Sequence, residues 1–371
     1  MSLNYTGMRR IRDKAARERC AKRLLQMRAT LEPLHSRKSD SKLLLATWNI
    51  RDFDGNKFKW GPRLPETFYY LAEMMSCFDL IAVQEVNRDL EPLQKLVGIL
   101  GREWDYIVTD TTEGWSGNSE RLAFVYNTEK VWFRKMAGEV VLPSGQLIVT
   151  KKLAGTEDGQ KILHEVGNQF ARTPYTVAFQ SGWFKFNLCT VHIYYGSASG
   201  AKLKRRIDEI SKLMAFFRKR QDKENRGLKN RPEQAENYIL LGDFNVVSPE
   251  HKTMEALESN GFRVPDEIGG DIVRLDHGKY YDQIALRVKD ERFRVLGGGV
   301  VNMFSDVFRD TDEDREVWAS MIPDDLEPDQ PLEKRYAKWR TWQMSDHSPL
   351  WIEIDTEYAN HYLGKIAEPG T

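Results

Sequence analysis

The chain has 371 residues, enough for one large domain or two modest ones, and it balances 55 Lys and Arg against 55 Asp and Glu. Its zero net charge gives no indication of a polyanionic partner. Three widely spaced cysteines, Cys20, Cys77 and Cys189, fit neither a disulfide framework nor a zinc site.

The first segment is basic. Residues 1–38 hold eleven Lys and Arg against three Asp and Glu, and the spacing of Leu24, Met27 and Leu31 predicts a helix that stops at Pro33. Such a helix either packs on the domain with a solvated basic face or serves as a nucleic-acid-binding arm. We see no signal-peptide core and no run of eighteen apolar residues, so we expect a cytoplasmic protein without a membrane span.

The rest of the chain alternates apolar runs with amphipathic stretches. Strands are predicted at residues 43–50, 80–85, 104–108, 120–126, 175–179, 184–192, 238–245, 280–286 and 350–354. Helices are predicted at 65–78, 90–100, 201–220 and 249–259, a turn-rich loop at 114–119, and irregular structure at 305–341, whereas 142–170 is assigned only loosely. This alternation predicts a layered α/β domain. Because no repeat or linker divides it, we expect a basic helical extension over 1–40 and one domain over 41–371.

The most informative stretch is 238–245, which reads Tyr-Ile-Leu-Leu-Gly-Asp-Phe-Asn. A continuous apolar run that ends at a turn residue is typical of a buried strand. Asp243 and Asn245 follow two residues apart, so on an extended backbone their side chains would point to the same side. By itself the motif could equally be an ordinary turn, because Asp and Asn are common turn formers.

Polar side chains also end other predicted strands. The full set is Asn49, Glu85, His192, Asp243, Asn245, Asp282, Asp346 and His347. Eight such residues are hard to explain as turn formers alone. Carboxylate and amide oxygens suit a hard divalent cation, Mg²⁺ or Mn²⁺, rather than zinc, and histidines near carboxylates suit proton transfer and charge stabilisation. Together these groups indicate attack of water on a phosphate ester.

These residues carry a resemblance to a known family. The ordered segments are Thr47-Trp48-Asn49, Gln84-Glu85, His192, Gly242-Asp243-Phe244-Asn245, Tyr281-Asp282-Gln283-Ile284 and Ser345-Asp346-His347. In this order they resemble the endonuclease/exonuclease/phosphatase superfamily, and most closely its deoxyribonuclease I-like members, over about residues 43–355. The resemblance implies a four-layer α/β/β/α sandwich with two packed mixed β-sheets and a catalytic domain over 41–371.

The resemblance also implies where metal and water would lie. Glu85 would be the principal ligand of Mg²⁺ or Mn²⁺, with Asn49 at the metal and phosphate and Asp346 as a further metal or phosphate contact. Asp243 and Asn245 would orient or activate the attacking water and hold the phosphoryl group.

Two histidines have implied roles of their own. His347 would pair with Asp282, which would keep the imidazole cationic beside the pentacovalent phosphate. His192 would be the second histidine. Glu120 resembles the glutamate that pairs with it, and Arg172 resembles the phosphate-contacting arginine of the deoxyribonuclease-like branch.

The substrate stays open at this point. Tyr281-Asp282-Gln283-Ile284 departs from the Trp-Cys-Asp-Arg type of motif that marks inositol polyphosphate 5-phosphatases, and the chain lacks the disulfides of extracellular deoxyribonucleases. The favoured prediction is a nuclease that hydrolyses phosphodiester bonds in nucleic acid. The alternatives are a phosphatase or phospholipase acting on a small or lipid phosphoester, and a catalytically silent binding protein.

Local charge and aromatic content give further hypotheses about the substrate. Residues 202–231 hold twelve Lys and Arg against four Asp and Glu, which would suit a nucleic-acid backbone or be a solvated helix face. Residues 334–342 interleave cations with aromatic side chains, which would either stack on bases or lie in the core. Residues 310–330 hold nine acidic residues against one basic residue and would repel a long polyanion at the cleft.

Overall fold

The computed structural model describes residues 3–111, 120–157, 160–228, 234–269 and 280–367, so the loop predicted at 114–119 lies outside the described residues. The α-helices are α1 (Lys14–His35), α2 (Pro65–Met75), α3 (Glu91–Leu100), α4 (Gly200–Glu224), α5 (Lys252–Leu257), α6 (Asp312–Trp318), α7 (Leu332–Gln343) and α8 (Ala359–Ala367). Among the helices described, none is both long and apolar enough to pass through a membrane.

The strands form two large sheets and a separate hairpin. The strands are β1 (Lys42–Phe53), β2 (Leu80–Val86), β3 (Trp104–Val108), β4 (Arg121–Asn127), β5 (Trp132–Glu139), β6 (Ile148–Glu157), β7 (Gln160–Asn168), β8 (Tyr175–Ser181), β9 (Phe184–His192), β10 (Tyr238–Val246), β11 (Tyr280–Arg287), β12 (Val295–Val300) and β13 (Leu350–Asp355). One sheet has the order β12-β13-β1-β2-β4-β3 and the other β11-β10-β9-β8-β5, while β6 pairs with β7. Each large sheet is mixed, because β1 and β2 are parallel, as are β9 and β10, and the other pairs are antiparallel.

Alternation along the central strands builds the layers. In β1, Leu44, Ala46 and Trp48 pack with residues of α1, α2, α3 and α7, while Leu43 and Leu45 point the other way into the core between the sheets. A third apolar cluster lies between the second sheet and helices α4 and α5. The order is therefore helices, sheet, sheet, helices, and the predicted four-layer sandwich of mixed sheets is confirmed.

The basic N-terminal helix packs on this body. It begins at Lys14 and continues through Pro33 to His35, so the predicted stop at Pro33 is wrong by two residues. Its buried side chains Cys20, Leu24, Met27 and Leu31 belong to the core cluster beneath the first sheet. Arg19 pairs with Glu66 at 2.9 Å and Arg23 pairs with the buried Asp314 at 2.6 Å. Part of the basic charge is therefore matched by acidic groups of the domain, and the boundary at residue 40 stays a prediction.

The stretch predicted to be irregular, 305–341, contains helix α6 and most of helix α7. Tyr336, Trp339 and Trp342 are buried and form ring contacts within the protein. The interpretation that the aromatic residues of 334–342 stack on bases is therefore wrong for these three side chains. They occupy one face of α7 because their spacing of three residues matches the helical repeat.

Irregular backbone at the strand ends aims side chains toward one edge. Pairing of β2 with β4 shifts register between Val83 and Val86, and pairing of β10 with β11 shifts between Asp243 and Val246. Within these two bulges Glu85 has a φ of 60° and Asn245 a φ of 53°. Left-handed backbone is costly for residues other than glycine, and bulges commonly re-aim side chains beside active sites.

Gly242 allows the close approach of two strands just before Asp243. Its φ is 133°, and a Cβ at this position would lie 2.2 Å from the carbonyl oxygen of Val191 on β9. A side chain here would force β9 and β10 apart, so only glycine fits.

We expect Gly242→Ala to lower the free energy of unfolding by about 2–4 kcal/mol, because it combines a backbone clash with a strained φ. Gly98 of α3 is the matched control, since a Cβ there meets nothing within 4 Å. Gly98→Ala should raise stability by about 0.5–1 kcal/mol through helix propensity. Urea unfolding measures the free energy of unfolding of both variants. Equal changes in the two would contradict the conclusion that only glycine fits at position 242.

Candidate active site

The ends of four central strands meet at one edge of the sandwich. Above the apolar core between the sheets, Gln84 of β2 donates to Thr190 of β9 at 2.9 Å and to Thr47 of β1 at 3.1 Å. This buried polar layer fixes the two sheets against each other. The next residues toward the edge include Asn49 on β1 and His192 on β9.

Asn49, Glu85 and Asp243 form the centre of the site. The Nδ2 atom of Asn49 donates to Oε1 of Glu85 at 3.0 Å and to Oδ2 of Asp243 at 3.2 Å, which joins the two sheets. The backbone N–H of Asp52 holds the other oxygen of Glu85 at 2.8 Å. The Oδ1 atom of Asn49 is buried and accepts no hydrogen bond in the described part of the chain.

His192 lies on one side of this centre. Its Nδ1 atom lies 2.8 Å from Glu120, which also pairs with Arg172, and its Nε2 atom lies 3.5 Å from Oδ2 of Asp243. Burial and Arg172 lower the pKa of His192, but Glu120 and Asp243 raise it more, so the pKa of this imidazole is raised. Burial raises the pKa of Glu120, but His192 and Arg172 outweigh burial, and that pKa is lowered.

His347 lies on the other side. Its Nδ1 atom lies 2.7 Å from Oδ2 of Asp282, and its Nε2 atom lies 3.9 Å from Oδ2 of Asp243. Burial lowers the pKa of His347, yet Asp282, Asp243 and Asp346 together raise it well above the ordinary value. Asp243 therefore lies between two imidazoles, each held at its other nitrogen by a carboxylate.

The segment that carries His347 is fastened to β1. Ser345 donates to the carbonyl oxygen of Asn49 at 2.6 Å and accepts from the backbone N–H of His347 at 3.1 Å. The indole N–H of Trp48 donates to the carbonyl oxygen of His347 at 2.8 Å. These contacts explain why Trp48 and Ser345 accompany the polar residues of their motifs.

Two predicted site residues lie differently from what the sequence suggested. Asn245 has left-handed backbone, so the regular alternation assumed for Asp243 and Asn245 is wrong, and its Nδ2 atom donates to the carbonyl oxygen of Ile193 at 2.8 Å. The side chain of Asp346 is 44% exposed, and its carboxylate lies 3.5 Å from Nε of Arg51. Asp346 therefore lies at the rim, and its contact with a metal or phosphate stays a prediction.

The donor set fits a hard divalent cation. Glu85, Glu120 and His192 bring ligand atoms within 4.8 Å of one another, but Glu120 is already paired with Arg172 and His192. The unpaired Oδ1 of Asn49 next to Glu85 is the better-suited oxygen, because Mg²⁺ and Mn²⁺ prefer carboxylate and carbonyl ligands. The predicted pair of Glu85 and Asn49 is thus compatible with the structure.

Sequence reasoning missed two buried charges on α4. Arg206 donates to the carbonyl oxygens of Asn245 at 3.0 Å and Ser197 at 2.8 Å, and so supports the backbone of the site. Glu209 accepts from the backbone N–H of Ala171 at 3.2 Å, directly before Arg172 in the chain. Both charged residues interrupt the apolar face of the predicted helix. That interruption was the feature of the sequence that could have identified them as buried charges.

A cleft of about 1070 Å³ opens beside His347. Its lining residues come from the site itself and from the segment that contains α7: Arg51, Tyr281, Met303, Phe304, Glu327, Asp329, Gln330, Lys334, Ala337, Lys338, Arg340, Thr341, Asp346 and His347. The segment predicted to be irregular therefore forms one wall of the cleft.

No family model matches the chain, and no curated protein matches it in sequence. Its structure is similar to that of a mannosyl-6-phosphatase from Bacteroides thetaiotaomicron, with a TM-score of 0.50, 18% identity, and coverage of 84% of this chain and 99% of that chain. It is also similar to an endonuclease/exonuclease/phosphatase family protein from the same organism, with a TM-score of 0.50, 17% identity, and coverage of 85% and 98%. The protein therefore has the endonuclease/exonuclease/phosphatase fold that its motifs predicted.

Asp282→Asn should lower the pKa of His347, because it removes the carboxylate nearest to the imidazole. Because the pKa of His347 is higher in the folded protein than in the unfolded chain, where it is about 6.5, protonated His347 stabilises the folded state. This stabilisation is complete below about pH 6.5 and is lost as pH rises through the folded-state pKa. The stability difference between wild type and variant should therefore be largest at acidic pH. NMR titration in EDTA measures the pKa, with the exposed Asp40→Asn as control. An unchanged His347 titration would contradict the pairing.

Glu209→Gln tests the buried carboxylate on α4. Burial raises the pKa of Glu209 from 4.5 to about 7, so the wild-type protein loses stability as pH rises between these values. The stability of the variant relative to wild type should increase by about 3 kcal/mol between pH 4.5 and pH 7.5. Denaturant unfolding across this range checks the prediction, with the exposed Glu316→Gln as control. A pH-independent difference would contradict it.

Proposed function

We propose that the protein is a phosphoesterase that depends on a divalent metal and hydrolyses phosphodiester bonds, with nucleic acid as the favoured substrate class. The observation that carries this proposal is the position of Asp243. Its carboxylate lies between His192 and His347, each paired with a second carboxylate, and it accepts a hydrogen bond from Asn49. This arrangement would supply a base, two imidazoles with raised pKa values and oxygens suited to a metal around one point.

Glu85 and Asn49 would hold the metal, with Asp346 as a further contact from the rim. Bound there, Mg²⁺ or Mn²⁺ would polarise the phosphate and offset its negative charge. The alternative ligand set of Glu85, Glu120 and His192 would draw Glu120 away from Arg172 and His192, whereas Glu85 with Asn49 leaves both of those pairs intact.

The remaining residues would act on the water and the phosphoryl group. Asp243 would accept a proton from the attacking water, and Asn245 would help to hold the reacting group in place. His347, kept protonated by Asp282, would stabilise the charge that develops on the phosphoryl oxygens. His192, whose raised pKa also favours the imidazolium, would act from the opposite side.

Arg172 would contribute positive charge beside His192, shared with Glu120. A guanidinium is always protonated and suits phosphate oxygens, so partial neutralisation by one carboxylate still leaves donors for a substrate. Because Arg172 is buried, with a relative exposure of 9%, it could contact only a phosphate that enters the site.

The outer face of α4 supports nucleic acid as the substrate. Lys202, Lys219 and Lys223 are exposed there and form no ion pair with any described residue. Exposed cations that are not neutralised by the protein attract a phosphate backbone and release counterions on binding.

A small phosphoester is the second candidate, favoured by the cleft beside His347. Its volume of about 1070 Å³ is large enough for a small organic ligand. The mannosyl-6-phosphatase of similar fold is, by its name, a phosphatase that acts on a sugar phosphate.

We expect metal-dependent hydrolysis, lost in EDTA and restored by Mg²⁺ or Mn²⁺. His192→Ala and Asp243→Ala should each lower kcat/KM by at least about a hundredfold, the usual scale for a general base or a charge-stabilising group. Cleavage of linear DNA and release of phosphate from small esters, measured in parallel, would separate the two substrate classes. His361→Ala and Asp40→Ala are the matched controls, because both side chains are exposed.

Equal activity of wild type, His192→Ala and Asp243→Ala would contradict the proposed site. Absence of hydrolysis of every phosphoester with either metal would instead favour the catalytically silent alternative.

A further inference from the structure

The cleft beside His347 has a catalytic end and a far end. Arg51 lies at the catalytic end, where its Nη1 atom donates to Thr341 of α7 at 2.8 Å and its guanidinium pairs with Asp346. Seven residues back along the same helix, Lys334 lines the far end with Asp329. At 1.5 Å per residue the cleft extends about 10 Å along α7.

Three of the four Lys and Arg side chains in the described lining of the cleft lie near a carboxylate, and Lys334 is the exception. Arg51 pairs with Asp346, and Lys338 pairs with Glu327. Arg340 lies 3.9 Å from Asp310. A groove built for a polyanion would instead offer cations without carboxylate partners, as the outer face of α4 does. This cleft therefore suits an uncharged polar group.

The cleft also has an apolar side. Tyr281 and Phe304 are half-buried in its lining, beside Met303 and the exposed Ala337. The guanidinium of Arg340 lies 4.5 Å from the Phe304 ring centroid and fixes that ring. Aromatic side chains in such a position bind the flat face of a nucleobase or the apolar face of a sugar ring.

We propose that this cleft binds the organic group attached to the scissile phosphate, and that it accepts one uncharged ring-bearing group, a nucleoside or a sugar. This inference rests on the proposed phosphoesterase function and narrows its substrate. The cleft has room for such a group, and because most of its cations are already paired with carboxylates it offers little to the further phosphates of a polynucleotide. The enzyme then acts on a terminal or small phosphoester and not on a bond within a continuous polynucleotide.

Direct binding tests the cleft independently of turnover. Calorimetry in Mg²⁺ compares methyl phosphate, thymidine 5′-monophosphate and a hexose 6-phosphate. We expect at least one of the two ring-bearing ligands to bind ten times more tightly than methyl phosphate, and the tighter one identifies the source of the ring. Equal dissociation constants for all three would overturn the proposal.

Two variants test whether the difference in affinity between the ring-bearing ligands and methyl phosphate arises in the cleft. Ala337→Trp fills the space from an exposed position on α7, and Phe304→Ala removes the aromatic wall. Each should reduce the affinity ratio between the ring-bearing ligand and methyl phosphate by about tenfold. Ala29→Trp on the exposed surface of α1 is the matched control and should leave the ratio unchanged. An unchanged ratio in both cleft variants would overturn the assignment.

A second experiment tests whether the enzyme is restricted to terminal or small phosphoesters. Linear and covalently closed circular single-stranded DNA of the same sequence should differ in cleavage rate, with the circle cut at least ten times more slowly. Equal rates would overturn the restriction to terminal or small phosphoesters. Selective binding of a ring-bearing ligand without hydrolysis of any phosphoester would refute the proposed function and leave the assignment of the cleft intact. Hydrolysis without selective binding would refute only the assignment of the cleft.

Discussion

The site depends on the contact between the two sheets at one edge of the sandwich. Gln84 bridges them through Thr190 at 2.9 Å, and Asn49 bridges them through Asp243 at 3.2 Å. Both histidine–carboxylate pairs described above also cross from one sheet to the other. A shift of one sheet against the other would therefore separate every pair at once, which explains why the layer beneath the site is fully buried and hydrogen-bonded.

The electrostatics follow from this geometry. Burial alone would favour neutral imidazoles, yet carboxylates raise the pKa of both His192 and His347. These carboxylates also concentrate negative charge around Asp243, which a divalent cation and a protonated imidazole would offset. A site that concentrates carboxylates and favours protonated histidines suits a substrate that brings its own negative charge together with a metal.

Much of this was predictable from the sequence, and the exceptions have physical causes. Buried strands such as β1 and β10 are continuous apolar runs, so the positions of their ends, and with them the candidate site, could be read from the sequence. Strand β12 was missed because Gly297, Gly298 and Gly299 are atypical of strands, and β5 because it is a largely exposed edge strand. The left-handed backbone of Glu85 and Asn245 could not be predicted, since bulges arise from pairing between distant strands.

The proposal that Glu85 and Asn49 hold a hard divalent cation where the two sheets meet can be tested crystallographically. A crystal structure with Mn²⁺, recorded at a wavelength where manganese scatters anomalously, would locate the ion. We expect an anomalous peak at about 2.1–2.3 Å from a Glu85 carboxylate oxygen, with Asn49 Oδ1 turned toward it. A fully active protein whose only manganese peak lies away from Glu85 would rule this site out.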